Sequence, residues 1–298
     1  MRLAAAVAFC AALLAAPVFN PAAFAQTTAD AIAADPPADA AHPARLEVIH
    51  VPSGGVNING IVYVAAGAGP HPTFVLFHGL PGNERNLDLA QAVRRAGWNV
   101  VAVNYRGSWG SPGAFSFAQN LQDADAVLAF VRDPANAKAL QIDTARLAIG
   151  GHSMGGWVTV QTLAHDTGVL GAVTISAGDM GGLGQLSRAD HAAAVKLMAE
   201  NRESLNATAE AMADEVAAHA GEWSFATLAP KLKDRRLYVL YSDDFVKSNS
   251  EALVAGIRAA GGTRVTSRNV PTDHSWSDHR IALETLVIDW LKSLPTTP

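Results

Sequence analysis

The stretch Leu147-Ala148-Ile149-Gly150-Gly151-His152-Ser153-Met154-Gly155-Gly156-Trp157 runs from an apolar strand through Gly-x-Ser-x-Gly into the start of a helix. A serine on so sharp a strand-to-helix turn is held in strained backbone geometry with its hydroxyl presented outward. Gly151 and Gly155 are expected at its flanks because a Cβ there would collide with the neighbouring strand or helix. The helix that follows points unpaired N–H groups and the positive end of its dipole at the place where negative charge develops. Ser153 is therefore the candidate nucleophile, and the Met154 N–H is one candidate donor to an oxyanion. A second donor is expected from the loop after the third strand. Phe74-Val75-Leu76-Phe77-His78-Gly79-Leu80-Pro81-Gly82 supplies an apolar strand running into a Gly- and Pro-containing turn, which makes the Leu80 N–H the candidate. His78 is then expected to shape the turn by hydrogen bonding and not to act as a base.

Outward from these segments, apolar runs at 46–51, 58–65, 73–77, 100–105, 147–149, 170–176, 237–241 and 264–270 read as strands. Between them, Phe117, Leu121, Ala124, Leu128 and Val131 recur at helical spacing, as do Leu283, Leu286/Val287, Trp290 and Leu294. The alternation predicts an α/β domain over 45–298 with a mostly parallel eight-stranded sheet, helices on both faces and ligands gathered at the carboxyl ends of the strands. Residues 178–229 break the pattern, with Ala-rich helical pieces and no convincing strand. They read as a small helical lid, or alternatively as helices extending one face of the sheet. The Ala-, Asp-, Pro- and Thr-rich stretch at 26–44 has no periodicity and reads as a disordered tether.

These two segments, with Asn104-Tyr105-Arg106-Gly107 after the fourth strand, resemble the α/β-hydrolase superfamily over about residues 46–294. Tyr-Arg-Gly followed by Ser108-Trp109-Gly110-Ser111-Pro112-Gly113 is similar to its dienelactone-hydrolase-like and prolyl-oligopeptidase-like branches. The resemblance implies the chain order nucleophile, acid, histidine. The acid is then expected after Leu237-Tyr238-Val239-Leu240-Tyr241, within Ser242-Asp243-Asp244. Tyr241 stands where family members commonly carry Gly with the acid three residues later, which points to Asp244 and leaves Asp243 open. His274, in the loop after the last strand, falls where the family places its base. His279 reads as a solvated residue in the first turn of the closing helix.

The mechanism so implied is attack by Ser153 on an acyl carbon, with His274 as base, Asp244 stabilising the imidazolium and the Leu80 and Met154 N–H groups holding the oxyanion. A carboxylic ester hydrolase is the leading expectation, a peptidase or aminopeptidase of prolyl-oligopeptidase-like type the alternative, and an inactive ligand-binding relative the non-enzymatic one. No cofactor is expected, since no His/Asp/Glu group has zinc-like spacing and no phosphate loop is present.

Composition fits this reading. At 49% apolar, the chain has enough material for one large core. A net charge of −5 without a Lys/Arg cluster argues against nucleic acid or an anionic membrane surface, so the expected partner is a small-molecule ester or amide. Met1-Arg2, an apolar run from Leu3 to Phe19 broken by Pro17, and Ala23-Phe24-Ala25 predict a signal peptide at 1–25, hence a secreted or periplasmic protein without stable membrane insertion. The only cysteine, Cys10, lies inside that segment, so the mature chain has no disulfide and no thiol nucleophile.

Overall fold

The computed structural model describes residues 27–296. The expected signal peptide, with Cys10, lies outside the described residues. Eight strands follow the expected alternation: β1 (Arg45–Ser53), β2 (Val56–Val64), β3 (His71–Phe77), β4 (Asn99–Val103), β5 (Ile142–His152), β6 (Gly171–Ile175), β7 (Leu237–Ser242) and β8 (Val265–Val270). They form one sheet in the order β1-β2-β4-β3-β5-β6-β7-β8. β1 pairs antiparallel with β2, and β2 with β4, while the remaining neighbours are parallel. The helices are α1 (Thr28–Ala33), α2 (Leu87–Arg95), α3 (Phe117–Arg132), α4 (Pro134–Ala139), α5 (Met154–His165), α6 (Met180–Ala189), α7 (His191–Ala199), α8 (Ala209–Ala218), α9 (Phe225–Leu228), α10 (Lys247–Ala259) and α11 (Arg280–Ser293).

Both faces of the sheet are covered, so central strands are apolar throughout instead of alternating. Every residue of β3 is buried. On one face α3, α5 and α10 pack Phe117, Leu128, Trp157, Leu163 and Ile257 against Val75, Phe77 and Ile149. On the other, α1, α2 and α11 pack Ala31, Leu89, Val93, Leu283 and Val287 against Phe74, Leu76 and Val173. β5 is longer than its apolar signal at 147–149. Main-chain pairing with β3, from His71 opposite Ile142 to Phe77 opposite Gly151, carries it across polar residues that give no periodic mark.

From Thr27 onward the structure corrects the tether expected at 26–44. Thr27 caps α1, Ala31 is fully buried between α2 and α11, and Arg95 donates to the Ala31 carbonyl. Further on, the His42 carbonyl accepts from Gly67 N–H at 3.0 Å. One turn-and-a-half of alanine-rich helix has too little apolar pattern to be read from sequence, and tertiary contact decides its state.

The segment at 178–229 is helical, as expected, and carries α6 to α9. It is rooted in the α3–α5 layer. Trp223 stacks edgewise on Trp157 at 5.0 Å, and its carbonyl accepts from Trp157 Nε1–H at 3.1 Å. Glu215 of α8 accepts from the Phe117 and Ala118 N–H groups at 2.9 and 3.0 Å, satisfying donors that the start of α3 leaves open. At its beginning, Gly178 N–H donates to the Ser153 carbonyl at 3.0 Å, so the insertion starts at the strand-to-helix turn itself.

The loop after β4 is fixed by a buried ion pair. Asp123 of α3, fully buried, accepts from Arg106 Nε at 2.6 Å, from Arg106 N–H at 2.8 Å and from the Ser53 hydroxyl. This explains the arginine of the Tyr-Arg-Gly segment, whose charge holds the loop to α3, while the Asp123 carboxylate also takes the Ser53 hydroxyl of β1. Asp123→Ala leaves a buried guanidinium without its counter-charge and is expected to lower unfolding free energy by about 3–5 kcal/mol in urea titrations. A loss below about 1 kcal/mol would contradict this role for the pair.

Candidate active site

Ser153 is the single residue between β5 and α5 and has φ 57° and ψ −121°. A non-glycine residue in such a conformation costs of order 1–3 kcal/mol and persists only where its surroundings impose it. Those surroundings are visible. Ser153 N–H donates to the Ile175 carbonyl of β6 at 2.9 Å, and the Ser153 carbonyl accepts from Gly156 and Gly178 N–H groups, each at 3.0 Å. A Cβ on Gly151 would lie 2.2 Å from the Gly155 carbonyl oxygen, and one on Gly155 would lie 2.2 Å from that of Phe77. Both glycines are therefore required by close approach, as the sequence implies.

Met154 opens α5, so its N–H belongs to those a helix start leaves without an intrahelical acceptor. Leu80 lies in the loop after β3, which is pressed onto the turn: a Cβ on Gly79 would be 2.9 Å from Ser153 Cβ. His78 shapes that loop, since its Nδ1–H donates to the Gly79 carbonyl at 2.8 Å. Trp109 Nε1–H donates to the Pro81 carbonyl at 2.7 Å from the far side.

Geometry separates the two neighbouring candidates for the acid. Asp244 Oδ2 accepts from His274 Nδ1–H at 2.7 Å, with the two side chains 3% and 22% exposed. Asp243 instead meets Lys247 Nζ at 2.7 Å and Asn269 Nδ2 at 3.2 Å, with a side chain 48% exposed. Burial pushes the Asp244 carboxyl up, but hydrogen bonds from His274 and Ser242, the histidine charge and the Val246 N–H outweigh it and hold the group below its ordinary range. With Nδ1–H committed to the carboxylate, His274 Nε2 is the nitrogen free to accept a proton.

Two residues that sequence reasoning passed over complete the surroundings. His152, buried beside Ser153, donates Nε2–H to the His274 carbonyl at 2.8 Å, and the two rings stand 4.7 Å apart. This bond ties the His274 loop to the turn. Its only trace in the sequence is the variable position of Gly-x-Ser-x-Gly. Phe245, 80% exposed, lies with its ring 4.6 Å from that of His274. Among the described residues no group of three or more His, Cys, Asp or Glu could hold a metal ion, and no helix is long and apolar enough to cross a membrane.

The model of the alpha/beta hydrolase family matches residues 74–284. No curated protein matches the chain. Pyrococcus horikoshii acylaminoacyl peptidase superposes with a TM-score of 0.65 and 16% identity, over 86% of this chain and 42% of its own. The 2,6-dihydroxy-pseudo-oxynicotine hydrolase gives 0.63 and 14%, over 86% and 69%. Porphyromonas gingivalis dipeptidyl peptidase 4 gives 0.59 and 16%, over 85% and 36%. The chain thus spans less than half the length of either peptidase, and at these identities the likeness is one of fold.

The two buried histidines of the site make stability depend on pH. Burial lowers His78 to about 4 and His152 to about 3, so both are neutral in the folded protein at pH 7. Below the ordinary histidine value of about 6.5 the unfolded chain takes up protons that these rings refuse, so stability falls with falling pH until about 4 and 3 are reached. His152→Gln removes one such proton and is expected to flatten the dependence of unfolding free energy on pH by about 1.4 kcal/mol per unit between pH 5 and 6. Parallel wild-type and variant slopes in urea titrations would refute it.

Proposed function

The chain belongs to the alpha/beta hydrolase family, and on that premise we propose that it is a serine hydrolase that cleaves carboxylic esters through an acyl-enzyme on Ser153. The observation that carries this reading is the Asp244–His274 pair at 2.7 Å, roped by His152 to the strained turn that presents Ser153. His274 Nε2 takes the serine proton as Oγ attacks the acyl carbon, and Asp244 stabilises the imidazolium. The oxyanion is held by the Leu80 and Met154 N–H groups. His274 then returns the proton to the leaving group, and water, activated by the same nitrogen, releases the acyl chain. The exposed ring of Phe245, 4.6 Å from that of His274, offers an apolar surface beside the base, in keeping with a small or medium acyl ester as substrate. The second reading, peptide or aminoacyl amide cleavage, draws support from the Tyr105-Arg106-Gly107-Ser108-Trp109-Gly110-Ser111 segment and from the peptidases that share the fold. We place the protein outside the cytoplasm, secreted or periplasmic, on the reading of residues 1–25 as a cleavable signal.

Ser153→Ala is expected to lower kcat by several orders of magnitude without loss of fold, and activity within tenfold of wild type would sink the proposal. Asp244→Asn is expected to cost about a thousandfold or more and Asp243→Asn less than tenfold; the reverse order would reassign the acid. Rates on nitrophenyl esters of increasing chain length, measured beside aminoacyl arylamides, decide between the two substrate classes. Arylamides turning over faster than every ester would favour the peptidase reading.

A further inference from the structure

Behind the Asp244–His274 pair runs a chain of buried hydrogen bonds that the mechanism above does not use. Trp276 Nε1–H donates to Ser176 Oγ at 3.1 Å, Ser176 Oγ lies 2.9 Å from Ser242 Oγ, and the Ser242 hydroxyl donates to Asp244 Oδ2 at 2.8 Å. Trp276, Ser176 and Ser242 are all fully buried. Their chemistry fixes the direction of every bond. An indole N–H only donates, and the one hydrogen of Ser242 is spent on the carboxylate, so the hydrogen between the two serines belongs to Ser176. Each donor therefore points toward Asp244, and the carboxylate oxygen at the end of the chain is the one that receives His274 Nδ1–H.

The three links come from three separate segments. Ser176 follows β6, Ser242 ends β7, and Trp276 lies in the loop after β8, two residues beyond His274. Ser176 and Trp276 also adopt left-handed backbone conformations, φ 44° and 59°, which a non-glycine residue holds only where its surroundings over-determine it. Main-chain bonds do so here: Ser176 N–H donates to the Leu240 carbonyl at 2.9 Å and Trp276 N–H to that of Asp273 at 3.1 Å. Ser153, at φ 57°, is a third such residue at this one site.

We infer that Trp276, Ser176 and Ser242 are positioning residues, a one-way donor chain that aims Asp244 Oδ2 at His274 and couples the acid to the loop that carries the base. This rests on the proposed roles of Asp244 and His274. No proton travels along the chain. Its effect is to occupy one lone pair of Oδ2 from a fixed direction, so that the other faces the imidazole, and to anchor the His274 loop through the interior of the sheet. Hydrogen-bonded partners behind metal ligands cost about ten- to a hundredfold in affinity or activity when removed, and a loss of the same order is expected for this chain.

The test is a set of variants assayed with a nitrophenyl ester, together with the proton NMR resonance of the His274 Nδ1–H. Ser242→Ala is expected to lower kcat ten- to a hundredfold with KM within about twofold, and to shift that resonance. Ser242→Thr, which keeps the hydroxyl, is expected to recover most of the rate. Trp276→Phe, which keeps a buried ring but loses the N–H, is expected to move the resonance in the same direction by a smaller amount. Should Ser242→Ala fail to fold, Ser176→Ala cuts the chain one link further away and reads the same two signals. A folded Ser242→Ala or Ser176→Ala with unchanged kcat and resonance overturns the inference, as does a stable Ser242→Thr no faster than Ser242→Ala. Those outcomes leave the proposed function standing if Ser153→Ala is inactive; an active Ser153→Ala overturns that function itself.

Discussion

The site depends on how closely β3 and α5 approach at the end of β5. A hydroxyl is lifted clear of the sheet edge only if the chain reverses within one residue, and that reversal needs the Phe77 carbonyl to lie against Gly155 where a Cβ would be 2.2 Å away. Two consequences follow from the one contact. Ser153 is forced to φ 57°, and the loop after β3 is brought onto the turn, so that a Cβ on Gly79 would lie 2.9 Å from that of Ser153. The strain is offset by ordinary packing on both faces of the parallel sheet, where each large buried side chain contributes roughly 1.5–3 kcal/mol.

The second half of the site is assembled from the other end of the chain by polar groups. Asp244 ends a short stretch after β7, and its carboxylate is met by Ser242, Val246 N–H and His274. His274 is held twice: from outside the ring by the carboxylate, and through its carbonyl by His152. His152 remains neutral because burial opposes its protonation, which keeps a second positive charge away from the imidazole that would gain one in the proposed reaction.

The strand and helix alternation, the turn at Ser153 and the two flanking glycines were legible in the sequence because each is a local pattern with a steric cause. The parallel sheet was legible from that alternation, since a helix between successive strands is the connection that parallel neighbours need. Which of two aspartates meets His274 was not. Asp243 and Asp244 are neighbours of equal chemistry, and only the direction in which each leaves the strand separates the one that meets Lys247 from the one that meets His274. The docked helix α1 was misread as disorder because its contribution is a single buried alanine and a few polar contacts with α2 and α11. His152 and the Trp276–Ser176–Ser242 chain escaped for a third reason: their partners lie 66 to 122 residues away in sequence, a distance at which spacing carries no signal.

Each role proposed at this site requires Ser153 to be an activated nucleophile, and the most direct test is covalent labelling of the folded protein with a fluorophosphonate followed by peptide mapping. One phosphonyl group per chain, carried by the peptide that contains Ser153 and lost when the protein is first unfolded in urea, is the result expected. No adduct, or an adduct on another residue with Ser153 unmodified, would contradict it.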